Sequence, residues 1–225
     1  MRVPLKINSK EEVKKLIVER NIEYIKVGVF DIDGIFRGKY MAREKFLSAL
    51  EHGFNICEVV MGWDSNDQLY DNVTYTGWHT GYGDASVQIV PKSCRELPME
   101  NNTILFLAEF KGQAEKICPR GLLKRVIQKS EQMGFMPKAS CEFEFFLFDE
   151  SPTTVRQKNY QNLNNISPGF FGYSMLRNSV YSDFYEELLD TCIAMDFPLE
   201  GFHTETGPGV MEAALVYDDA IIAAD

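Results

Sequence analysis

Two short segments of this chain hold carboxylates where acids are costly to keep. The first is Glu142-Phe-Glu144-Phe-Phe-Leu-Phe148. In an extended strand successive side chains alternate between faces, so Glu142 and Glu144 share one face of a run otherwise built from large apolar residues. Burying two like charges side by side weakens a fold unless a cation neutralises them. A divalent metal does this, and all-oxygen ligation selects Mg²⁺ or Mn²⁺ over Zn²⁺. An edge strand with both glutamates in water and its phenylalanine face packed inward fits the same residues.

The second segment, Glu200-Gly-Phe-His-Thr-Glu205-Thr-Gly-Pro-Gly-Val-Met-Glu212, places three carboxylates around a Gly-Pro-Gly turn. Leu199 to Thr206 reads as a strand, Gly207 to Gly209 reverses it, and Val210 to Val216 returns. Such a hairpin brings Glu205 and Glu212 near each other on adjacent strands. Added to the Glu142/Glu144 pair it makes a metal cluster; the other reading is an ordinary hairpin with solvated acids. His203 alternates in phase with Glu205 and out of phase with Glu200; it fits a contact with nucleotide or metal-bound phosphate as well as a hydrogen-bonded structural role, and is left outside the metal set. His52 and His79 carry no specific signal.

The elements that hold these residues divide the chain in two. Ser9-Lys-Glu-Glu12 is a capping box opening an amphipathic helix through Glu19. A hairpin follows, Glu23 to Phe30 and Ile35 to Met41, about a turn at Asp31-Ile-Asp-Gly34. Ala42 to His52 reads as a helix stopped by Gly53. Strands are expected near Asn55 to Met61, Ser86 to Val90 and Thr103 to Phe110, with a loop rich in Thr, Gly and aromatics from Tyr70 to Asp84. This is the pattern of a small α+β, β-grasp (ubiquitin-like) domain, taken as residues 1–112. In residues 113–225, Pro119 starts a helix that ends at Gly134, and Lys138 to Phe148 is a strand. Ser151 to Ser179 reads as a long loop, and Ser182 to Met195 as an amphipathic helix leading into the Glu200 strand.

Glu-x-Glu-Phe-Phe-Leu-Phe, followed by Glu-(four residues)-Glu-(two residues)-Pro-Gly-x-x-Glu, resembles the glutamine synthetase family of glutamate–ammonia and glutamate–amine ligases. The resemblance is strongest from Cys118 to Leu215 and extends upstream to Asp31-Ile-Asp-Gly, Arg37-Gly-Lys39 and Gly62-Trp-Asp-Ser-Asn-Asp67. It implies a β-grasp domain followed by the first half of a glutamine-synthetase-type catalytic domain, an antiparallel sheet or partial barrel with flanking helices. By match to the motif, Glu144, Glu205 and Glu212 resemble ligands of a first divalent metal. Glu142 resembles a ligand of a second, and Glu200 a residue at the nucleotide. Asp64 stands where the family has an aspartate that binds and deprotonates the incoming ammonium from a neighbouring subunit. The family's Asp-Gly-Ser-Ser is Asp64-Ser-Asn-Asp67 here, so Asp67 competes for that role.

The implied reaction is nitrogen metabolism at the expense of ATP, with Mg²⁺ or Mn²⁺ as cofactor and glutamate, an amine and ATP as small-molecule substrates. ATP activates the carboxylate as a γ-glutamyl phosphate, metals neutralise the phosphates, and a carboxylate takes a proton from the amine. Two features depart from the family. Val210 stands where many members carry Gln, which keeps a catalytically silent member with a structural role as the alternative. Trp63, Trp78, Tyr70, Tyr75 and Tyr82 surround the implied amine site with rings that either favour a larger amine or pack a subunit interface. The family's remaining metal ligands and substrate arginines fall beyond Asp225. The chain is therefore expected to supply one wall of the site, to be inactive alone, and to join a ring-shaped homo-oligomer when full length. A glycoside hydrolase built on a carboxylate pair ranks last, since there are more acids than that chemistry uses.

Composition narrows the partners. Asp and Glu number 33 against 23 Lys and Arg, a formal net charge of −10, which argues against nucleic-acid or anionic-membrane binding. No apolar run reaches bilayer length and the N-terminus lacks a signal-peptide pattern. The 5 cysteines are odd in number and lack Cys-x-x-Cys spacing. They suggest reduced thiols in the cytoplasm rather than a disulfide framework or zinc site.

Overall fold

A computed structural model of the chain describes residues 4–225. The fold is α+β, and the described residues form two compact units: residues 4–137 with Ala224–Asp225, and Lys138–Ala223. Among the described residues no helix is long and apolar enough to cross a membrane.

The first unit opens with α1 (Lys10–Glu19), whose N-cap Ser9 accepts the Glu12 N–H while Val13 and Ile17 are buried. The hairpin β1 (Tyr24–Phe30) and β2 (Phe36–Ala42) pairs in antiparallel register, Gly28 opposite Gly38. Helix α2 (Arg43–His52) ends at Gly53, whose φ of 76° is the left-handed conformation that glycine adopts freely. Then come β3 (Phe54–Cys57), β4 (Asp84–Ile89), β5 (Arg95–Glu96) and β6 (Ile104–Phe110). The sheet order is β2-β1-β6-β4-β3, with β5 on β6. Every pairing is antiparallel except β1 with β6. Helices α3 (Gln113–Ile117) and α4 (Pro119–Gln132) close the unit. Phe46, Phe106, Ile17, Ile25 and Leu50 are fully buried in its core.

One expected strand is shorter than its sequence suggests. Beyond Cys57 the run Glu58–Met61 turns into a 3-10 helix that buries Val60 and Met61, because a short apolar run does not by itself distinguish strand from turn. All five cysteines are free. Cys94 is buried, and burial pushes its thiol up to about 12.

The second unit holds β7 (Lys138–Ala139), β8 (Glu142–Phe146), α5 (Pro152–Gln157), α6 (Met175–Val180), α7 (Ser182–Ala194), β9 (Leu199–Thr204), β10 (Val210–Leu215), β11 (Asp218–Asp219) and α8 (Ala220–Ala224). Its sheet runs β8-β10-β9, all antiparallel, and β7 pairs with β11. The expected loop from Ser151 to Ser179 contains two helices. Ser151 and Thr154 form a reciprocal capping box at the first, and Ser174 caps the second. Six residues make under two turns, too few to show a helical period.

Candidate functional site

Strand alternation sorts the three-stranded sheet into two chemically opposite faces. Glu144 on β8 lies directly opposite Glu212 on β10, and Glu212 directly opposite His203 on β9. Directly opposed residues in antiparallel strands point to the same side, so these three form a row across the sheet. Glu142, opposite Ala214, shares that face two residues along. Glu205 follows β9, and its N–H still donates to the Val210 carbonyl at 3.0 Å, so the pairing carries it onto the His203 side.

The other face is apolar. Phe145 stacks on Phe202 with ring centroids 6.3 Å apart, and Phe202 meets Tyr185 of α7 at 4.5 Å. Met211 is 1% exposed, and the Tyr185 hydroxyl sits 3.1 Å from its sulfur. This packing fixes which way the glutamates point. A one-residue shift of any strand would bury acids and expose aromatics.

The turn between β9 and β10 depends on Gly209. Its φ is 72°, and a Cβ there would come within 2.8 Å of the Leu147 carbonyl. The Gly209 carbonyl accepts the Leu147 N–H at 2.9 Å, which extends the β8–β10 pairing to the turn. Val210 is buried against Gly207 and opposite Phe146.

One ligand atom from each of His203, Glu205 and Glu212 lies within 4.8 Å of the others. The Glu205 carboxylate accepts the Thr206 N–H, and this bond, with the Thr206 side chain, holds it below the usual carboxylate range. His203 Nδ1 is 3.1 Å from the Thr204 carbonyl. This contact is satisfied by a proton on Nδ1. Nε2 is 3.7 Å from Glu212 Oε1, and the ring stacks on Tyr173 at 4.3 Å. Among the described residues no Lys or Arg pairs with Glu142, Glu144, Glu205 or Glu212. Carboxylates left without Lys or Arg on one face, beside an imidazole nitrogen, suit a divalent ion.

The structure thus brings Glu142, Glu144, Glu205 and Glu212 to one face and adds His203, which sequence reasoning set aside. Its phase with Glu205 was the available signal. Glu200 is exposed and sits where the β9–β10 register shifts, with Gly201 opposite Ala214 and Leu199 opposite Leu215. Asp64 belongs to the first unit, where its Oδ1 accepts the N–H groups of Asn66 and Gln68 at 2.8 and 2.9 Å.

Residues 116–225 match the family described as glutamine synthetase, catalytic domain. The chain is 41% identical over 222 residues to "Type-1 glutamine synthetase 2" of Dictyostelium discoideum, covering 97% of this chain and 42% of that protein. It is 34% identical over 218 residues to "Glutamate--isopropylamine ligase" of a Pseudomonas species, covering 95% of this chain and 48% of the relative. The chain therefore spans about half the length of the curated relatives it matches. A solved GmaS/ADP complex shares the fold at a TM-score of 0.71 with 17% identity, over 93% of this chain and 45% of that one.

Proposed function

The chain belongs to the glutamine synthetase family, and from that premise we propose that it supplies one wall of an ATP-dependent ligase joining glutamate to ammonia or another amine. The observation that carries this reading is the row Glu144–Glu212–His203 with Glu142 and Glu205 on the same sheet face. An amine larger than ammonia is supported by the relative named for isopropylamine. In this reading residues 1–112 are a β-grasp domain, supported by the β2-β1-β6-β4-β3 order with β1 and β6 parallel. Residues 113–225 are the opening part of the catalytic domain, supported by the family match from residue 116. The whole protein works as a ring-shaped homo-oligomer, and its free thiols suit the cytoplasm.

Glu144, Glu205 and Glu212 would hold one Mg²⁺ or Mn²⁺, and Glu142 a second. When bound, these ions supply the positive charge that phosphoryl transfer from ATP to the glutamate carboxylate requires. The chain's own residues do the rest. The apolar face locks the sheet so that the acids converge without rearrangement. His203 stands beside Glu212, Glu200 stands at the nucleotide, and Asp64, reaching in from a neighbouring subunit, binds the ammonium and takes its proton. The 225 residues alone are inactive in this reading, since the other wall of the site lies outside them.

A second reading, a silent member with a structural role, rests on Val210, whose buried apolar side chain cannot make the contacts of an amide. Turnover separates the two. A form as long as the relatives should release phosphate from ATP in the presence of glutamate, Mg²⁺ and one amine of a panel, and chelation should stop it. Phosphate release that persists in chelator would refute the metal-dependent ligase, and no turnover with any amine would favour the silent member.

A further inference from the structure

We propose that Arg37 is the positioning residue of the Asp64 turn, fixing the turn by pairing with Asp67 and leaving Asp64 as its free anion. The inference rests on the ligase reading only for what the turn serves.

Residues 62–70 form a small hairpin. Trp63 bridges Leu69, the Asp64 N–H donates to Gln68 O at 3.0 Å, and the Tyr70 N–H to Gly62 O at 2.9 Å. Asp67 closes the tip with φ 59°, a left-handed conformation that Asp tolerates better than most residues. Residues 65–69 are all exposed, so apolar burial does little to hold the tip.

Arg37 holds it. The guanidinium commits three nitrogens to three partners: Nε to Asp31 Oδ2 at 2.8 Å, one terminal nitrogen to Asp67 Oδ1 at 2.6 Å, and the other to the Asp64 carbonyl at 3.2 Å. It also lies 4.9 Å over the Trp63 ring. Asp31 is fully buried, and its second oxygen accepts the N–H groups of Asp33 and Ile35, both at 2.9 Å. The same carboxylate therefore shapes the β1–β2 turn and orients Arg37. A second tie runs from the Ser65 N–H to Asp33 Oδ2 at 2.8 Å. Only a planar, multi-donor fork makes this arrangement; the single ammonium of lysine does not.

The two acids of the tip end up in different electrostatic states. Asp67 is ion-paired to Arg37, a cation it shares with the buried Asp31. Asp64 Oδ1 accepts two backbone N–H groups, and among the described residues nothing bonds its Oδ2 and no cation pairs with it. Burial, with the negative charges of Asp33, Asp64 and Asp31, raises the Tyr70 phenol. Of the two acids of the tip, Asp64 is the one without a cation partner and so the one left to attract an ammonium.

Amide hydrogen exchange tests the positioning in the 225-residue chain. Arg37→Lys should speed exchange at Ser65 to Gln68 by about tenfold or more, with β1 and α1 amides unchanged. Asp67→Asn, an exposed substitution that leaves the buried Asp31–Arg37 pair intact, should give a smaller increase. Unchanged exchange in both variants overturns the proposal. In a catalytically active preparation, Asp64→Asn should raise the KM for the amine about tenfold while the turn stays protected, because an amide oxygen still accepts the same N–H groups. Asp67→Asn should raise it less, and the reverse order overturns the assignment of Asp64 as the free anion. A loosened turn with the amine KM unchanged in every variant would leave the positioning standing and defeat the ligase reading of the turn.

Discussion

Glu144→Gln should change the sign of its effect on stability when a divalent ion is added. Glu144 faces Glu212 directly across the β8–β10 pair, and among the described residues neither is paired with Lys or Arg. Like charges directly opposed in an antiparallel pair destabilise by about 0.2–1 kcal/mol. In chelator, removing one of them should therefore stabilise the Lys138–Ala223 unit by that amount. For a domain of this size the corresponding rise in Tm is roughly 1–8 °C. Divalent ion at a hundred times its Kd stabilises a one-site protein by about 2.7 kcal/mol. The variant offers a neutral oxygen in place of a charged one and gains less of this. Calorimetry in EDTA and again in excess Mn²⁺ or Mg²⁺ should show the variant above wild type in the first condition and below it in the second. A variant less stable than wild type in EDTA would contradict the repulsion, and an undiminished rise on adding metal would remove Glu144 from the ligand set.

Three other outcomes follow from the packing and the charges. Lys158, the Thr154 hydroxyl and the Asn164 N–H hold Glu150 down to about 2, so its contribution to stability is fully present above its ordinary value near ~4.3 and is lost as pH falls toward about 2. Glu150→Gln should flatten the acid limb of a urea-midpoint profile, and identical limbs would refute this. Met211→Ala empties a site that is 1% exposed and should destabilise its unit by about 2–5 kcal/mol in denaturant titration; a loss below ~1 kcal/mol would mean the apolar face is not packed as described. Gly209→Ala forces a Cβ into a left-handed position beside the Leu147 carbonyl and should cost about 1–3 kcal/mol, with weakened Mn²⁺ binding as the second readout.

How much could be read from the chain alone depended on how local each signal was. The shared face of Glu142 and Glu144, and the hairpin about Gly207 to Gly209, follow from period-two alternation and turn chemistry within a dozen residues. The pairing of Glu212 with Glu144 does not, because register between β8 and β10, far apart in sequence, is decided by the packing of the apolar face. His203 lies within the legible hairpin, but a lone histidine beside carboxylates carries no mark in sequence that separates a ligand from a hydrogen-bonded structural residue. Helices α5 and α6 escaped because six residues carry no period; their capping serines, Ser151 and Ser174, were the readable signs. The choice between Asp64 and Asp67 was closed to sequence as well, since in our proposal it turns on Arg37, 30 positions away from Asp67.

The central place of β10 has a consequence for folding fidelity. Every neighbour of Glu212 across the sheet is reached through that one strand, so a slip of β10 by one residue would present Met211 or Ala213 among the acids and turn Glu212 toward Phe202. Such a species would keep its secondary structure and look native by far-ultraviolet circular dichroism, yet it would be blind to metal. Divalent ions binding only the correct register would draw the population out of that trap. Refolding in their presence should therefore give a larger metal-competent fraction than adding them afterwards, and in the proposed ligase the ion would then be an assembly check as well.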